Sequence, residues 1–168
     1  MRCSQLLIGA LLLLAGAAQG QLADANPDWK ESEVPAPPSF KTESLLPLEM
    51  PRHLSMRFGV DPETLRVTPE GLVRYVLVAT SPAGGVNAMY EGIRCQTGEV
   101  KTYARFTASG QWNLVQDAQW RALNSGPSSM PALALARQGA CEGRAANAAS
   151  PAVIIRRLKA KPIEGSQL

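Results

Sequence analysis

Residues 72–106 decide the fold: LVRYVLVAT (72–80), VNAMYEGIRC (86–95) and EVKTYARF (99–106), separated by SPAGG (81–85) and QTG (96–98). The three long runs are dense in Val, Ile, Thr, Tyr and Phe, whose branched or aromatic side chains fit a pleated surface. The short runs between them hold Pro and Gly, which set or permit the φ values that turns require. Three strands joined by two short turns read as an antiparallel meander. Weaker strand signals extend it at 55–60, 64–67 and 111–115.

Helical signals follow the strands. The run PALALARQ (131–138) opens on a proline, suited to a first helical turn, and ends before Gly139, a natural C-terminal cap. A second helix starts at Ser150-Pro151, with Val153, Ile154 and Leu158 as its buried stripe. Its Arg156, Arg157 and Lys159 stand in the last turn, where the helix dipole favours cations. The expected fold class is therefore α+β: a twisted antiparallel sheet meander with two short C-terminal helices.

The residues before this body differ in composition. Residues 21–51 hold six of the 13 prolines and six acids against two lysines, whereas the chain from Arg52 onward has six more basic residues than acidic ones. Proline at that density blocks helices and ladders and favours extended chain. An acidic, proline-rich arm is expected over 21–51, pinned to the body by Trp29 and Phe40, with a single domain over 52–161 and a frayed tail over 162–168. Either the arm lies across the basic body and cancels its charge, or the body meets an anionic partner.

Residues 1–20 are read as a signal peptide. Arg2 precedes a run of 13 small and apolar residues, 6–18, and small residues at Ala18 and Gly20 suit a signal peptidase, so cleavage is expected near Gly20. A bilayer span needs about 20 apolar residues, so no membrane span is expected after cleavage. Processing leaves Cys95 and Cys141. In an oxidising compartment they most simply form one disulfide, which by loop closure adds about 4 kcal/mol; two free thiols are the alternative reading.

Pairing geometry nominates a candidate site. With Thr97-Gly98 as a two-residue loop, Tyr90 lies across from Arg105, Gly92 from Tyr103 and Arg94 from Lys101. A four-residue turn at 82–85 adds Tyr75 to the same face. Tyr75, Tyr90, Arg94, Lys101, Tyr103 and Arg105 then make an aromatic and cationic platform, suited to an anionic ligand. The plainer reading is a second sheet face covered by the arm or a helix, its arginines reaching past the cover to water. Glu91 falls on the opposite, apolar face, where Arg74 is expected to meet it in a partly buried ion pair.

Few catalytic recipes are possible. His53 is the only imidazole and has no nucleophile motif nearby; no phosphate-cradling Gly-rich loop is present. One histidine and two cysteines supply no zinc set, so neither a metal nor a cofactor is expected. No catalytic residue is nominated; a hydrolase or lyase using Glu91 or Tyr103 as acid or base is the alternative to a binding role. Nucleic acid is not the expected partner, because an exported protein seldom meets it.

Several segments resemble the family of cryptic neisserial proteins and their relatives, small exported proteins of Gram-negative bacteria. They are Asp28-Trp29-Lys30-Glu31 with the prolines after it, LSMRFGVDP (54–62), VNAMYEGIRC (86–95), EVKTYAR (99–105) and LALARQGAC (133–141). The resemblance implies a periplasmic location and supplies no catalytic residues. The expected function is a non-catalytic envelope module for an anionic envelope component or a periplasmic protein; a structural adaptor working through the arm and the sheet edges is a third reading.

Overall fold

A computed structural model describes residues 28–107, 109–142 and 149–160. The proposed signal peptide (1–20) and tail (162–168) lie outside them.

The protein is α+β. The described residues hold eight strands, β1 (Leu46–Pro47), β2 (Arg57–Val60), β3 (Arg66–Val67), β4 (Leu72–Thr80), β5 (Val86–Arg94), β6 (Glu99–Phe106), β7 (Trp112–Leu114) and β8 (Arg121–Ala122). They form one antiparallel sheet in the order β1-β2-β4-β5-β6-β7, with β3 beside β4 and β8 beside β6. The expected meander is thus present, with two-residue strands β1 and β8 that carry too few side chains to announce themselves. Two short helices follow, α1 (Met130–Leu135) and α2 (Pro151–Lys159). Beyond α1 the chain widens into one π-type turn through Ala140, so Gly139 is not a simple cap. A Cβ at Gly139 would stand 3.0 Å from the Cβ of Arg157, so glycine there lets α2 approach closely.

Each face of the sheet carries its own apolar layer. The helices cover Val73, Tyr75, Leu77, Ile93 and Val100 on one face, packing Leu135 and Ile154 against them. The arm covers Val76, Val78, Ala88, Tyr90, Tyr103 and Ala104 on the other, through Val34 and Phe40. Burial on both sides explains why β4 is buried at every position from Leu72 to Ala79 and reads as an apolar run interrupted by Arg74. The Cys95–Cys141 disulfide joins the turn after β5 to the end of the helical segment, with Cα atoms 5.6 Å apart.

Three register details depart from the expected pairing. The β4–β5 turn has five residues, since Thr80 pairs with Val86; Ser81 N–H donates to Gly85 O, and Gly84 takes a left-handed φ of 84°. One extra turn residue moves Tyr75 to the other face, so that Tyr75 pairs with Glu91 rather than Gly92. The β5–β6 turn has four residues, with Arg94 opposite Glu99, a shift of two that leaves the faces intact. A β-bulge then intervenes, because Glu91 pairs with Thr102 but Tyr90 with Ala104. Tyr103 is the extra residue, and beyond it every side chain of β6 has changed face.

Candidate functional site

The arm from Asp28 to Phe40 makes no strand ladder and is held on the sheet by side chains. At its start, Trp29 stacks under Arg94, whose guanidinium carbon lies 3.8 Å from the ring centroid. The indole N–H of Trp29 donates to the carbonyl of Glu70, 3.1 Å away, and its ring meets Trp120 edge-on at 6.0 Å. At its end, Phe40 packs edge-on against Phe106 and Trp112, at 5.0 and 5.7 Å. Lys41 N–H then donates to the buried carboxylate of Asp61, which also caps the turn at 62–64. The expectation that Trp29 and Phe40 pin the arm therefore corresponds to named contacts.

Between these two pins lies a carboxylate site. Glu31 accepts hydrogen bonds from Lys101 Nζ at 2.9 Å and from the Tyr103 hydroxyl at 2.7 Å, and Arg74 Nη2 stands 3.8 Å from the same carboxylate. Arg74 is also 3.8 Å from Glu70 and donates to the carbonyls of Ser32 and Glu33 at 2.9 and 3.1 Å. Ser32 hydrogen-bonds Glu70 through both its hydroxyl and its amide. Burial works to raise the Glu70 carboxyl, but these donors outweigh it and hold Glu70 below the ordinary carboxylate range. Burial, together with the neighbouring Glu31 carboxylate, pushes the Tyr103 hydroxyl well above the usual phenol value, so it serves as a donor. The Nε atoms of Arg74 and Arg94 are buried without a hydrogen-bond partner among the described residues.

The platform expected from pairing is thus assembled in part and differently covered. Tyr90, Arg94, Lys101 and Tyr103 share the arm-side face, with the Tyr90 and Tyr103 rings 5.3 Å apart. Tyr75 does not belong to it; the longer turn puts this tyrosine in the helix-side core, fully buried. Nor does Arg105: the bulge places it opposite Met89, exposed, with its guanidinium 3.3 Å from the methionine sulfur. The plainer reading of the face, as one covered by the arm, describes Tyr90 and Tyr103, which are only 3% and 6% exposed.

The expected Arg74–Glu91 pair does not form. Arg74 pairs with Gly92 in the sheet and points to the arm, whereas Glu91 points to the helix side. Glu91 is 2% exposed and accepts from the Tyr75 hydroxyl at 3.0 Å and the Thr102 hydroxyl at 2.9 Å. Burial raises its pKa, against these two hydrogen bonds and the pull of Arg105 and Arg121. Glu91 and Tyr103 lie on opposite faces of the sheet, so the two do not work as an acid–base pair on one substrate.

Glu31, Glu70 and Ser32 were not singled out by sequence. The available signal was the acidic arm set against a basic body, which points to a charge match without choosing the carboxylate. Among the described residues, no group of three or more His, Cys, Asp or Glu side chains is placed to hold a metal ion, and no helix is long and apolar enough to cross a membrane.

Compared with known proteins, residues 24–159 match the model of the CNP1-like family. No curated protein and no solved structure matches the chain.

Proposed function

The chain belongs to the CNP1-like family, and from that footing we propose that it is an exported, non-catalytic module of the cell envelope that binds an anionic ligand or partner protein through the arm-side face of its sheet. One observation carries the reading: Lys101, Tyr103 and Arg74 converge on a single carboxylate, that of Glu31. Two cations and a hydroxyl held by a twisted sheet form a preorganised carboxylate receptor, because the strands and the bulge fix their spacing before any ligand arrives. Export is supported by the apolar run at 6–18 behind Arg2, with cleavage near Gly20. A Cys95–Cys141 disulfide suits a compartment outside the reducing cytoplasm.

Binding is tested on the processed chain with poly-L-glutamate as the carboxylate probe. In a Trp29→Ala variant, whose arm has lost one pin, calorimetry is expected to show binding that Lys101→Ala then removes. Equal heats with and without Lys101 would contradict the reading. Cell fractionation tests export: the processed form belongs with periplasmic markers, and an unprocessed cytoplasmic form would contradict the location.

A further inference from the structure

We infer that the groove between the sheet and the arm is a docking site for an extended acidic peptide of a partner protein, which the chain's own arm fills in cis. This inference rests on the binding-module reading above and adds the class of ligand.

The arm itself shows what the groove accepts. It crosses the sheet without a ladder, as a bound peptide does, and its pattern is an aromatic residue, a glutamate two positions on, then prolines at 35 and 37. Trp29 lies on the Arg94 guanidinium and Glu31 sits in the cation trio. A proline-stiffened segment surrenders little freedom on docking, so such contacts convert efficiently into affinity.

The arm does not use the whole groove. Where residues 34–37 pass Tyr90, Tyr103 and Leu114, an opening of about 380 Å³ remains. Ala36 offers it only a methyl group, and Leu114 on its far wall is 65% exposed. A ligand therefore has apolar surface to gain that the arm leaves uncovered.

Those unmade contacts also select the occupant. A tethered arm acts at an effective concentration on the order of millimolar. A second copy of this chain brings an identical arm, gains no contact over the one in cis, and does not displace it. A partner segment with a leucine-sized side chain at the place of Ala36 does gain contacts, and displaces the arm where it too is held at a comparable effective concentration.

The test uses a fluorescein-labelled peptide with the sequence of residues 28–40 carrying Ala36→Leu, compared with the unaltered peptide. Each is titrated by anisotropy into the processed full chain bearing Trp29→Ala and Glu31→Gln. The Leu peptide is expected to bind about tenfold tighter than the unaltered one, from the extra apolar contact, and adding Lys101→Ala is expected to abolish binding. As a safeguard against misfolding, a chain with a protease site between Thr42 and Glu43 is cut after folding; the Leu peptide is expected to displace the cut arm. If the Leu peptide neither binds the variant nor displaces the cut arm, the inference is overturned, as it is if an arm-exchanged dimer forms and excludes the peptide. Persisting poly-L-glutamate binding would then leave the binding-module reading standing, and its loss as well would remove both.

Discussion

The guanidinium of Arg94 lies flat against Trp29, 3.8 Å from the ring centroid, and so links the central strand β5 to the first described turn of the arm. Stacking of this kind is worth about 1–2 kcal/mol when the cation is partly desolvated. Trp29→Ala is therefore expected to lower stability by about 2 kcal/mol in urea unfolding, counting its lost contact with Trp120. Trp29→Phe retains part of the stacking and is expected to lose less. Equal losses for the two variants would argue against a cation–π role.

Gly92 is where Tyr103 comes closest to the sheet. A Cβ there would overlap the Tyr103 hydroxyl and stand 3.0 Å from two ring carbons. Gly92→Ala must displace the Tyr103 ring and disturb its hydrogen bond to Glu31, at an expected cost of about 1–3 kcal/mol. Tyr103→Phe removes the nearest atom, so the double variant is expected to be more stable than the two single losses predict. Simple additivity would show that Tyr103 does not rest on Gly92.

Burial raises the folded-state pKa of Glu91, which gives its contribution to stability a definite sign with pH. A group whose pKa is higher in the folded state stabilises most when protonated, and that stability is lost as pH rises through the folded value. Glu91→Gln keeps a neutral group that both hydroxyls can still meet. The variant is expected to match the parent near about pH 4 and to exceed it in melting temperature near about pH 8. A variant less stable than the parent at the higher pH would mean that a charged Glu91 is stabilising.

The disulfide spans 46 positions, and a loop of that size restricts the unfolded chain by about 4 kcal/mol. Paired Cys95→Ser and Cys141→Ser substitutions are expected to lower the denaturation midpoint accordingly, and reductant to shift the parent but not the variant. An unchanged parent in reductant would mean the bond contributes little.

How much of this was legible in the sequence depends on the kind of signal. Strands β4 to β6 and α2 were legible because dense β-branched runs, Gly-rich turns and a Ser-Pro start are local features. The crosslink was legible because removal of the proposed signal peptide would leave two cysteines. The faces were not. SPAGG closes a hairpin with four residues or with five, and that one residue decides whether Tyr75 pairs with Gly92, on the face of Tyr90, or with Glu91. The bulge at Tyr103 leaves no mark in EVKTYARF, yet it sends Arg105 to the other side. The charge contrast between arm and body announced an electrostatic match, but selecting Glu31 requires the path of the arm, a tertiary property.

The claim on which the rest depends is that the arm's Glu31 occupies a receptor built by the sheet, and a double-mutant cycle measures that contact directly. Unfolding free energies of the parent, Glu31→Gln, Tyr103→Phe and the double variant give the coupling across the 2.7 Å hydrogen bond. The predicted result is a coupling of about 1 kcal/mol or more, as for a charge-assisted bond shielded from water. Additivity within about 0.3 kcal/mol would contradict it.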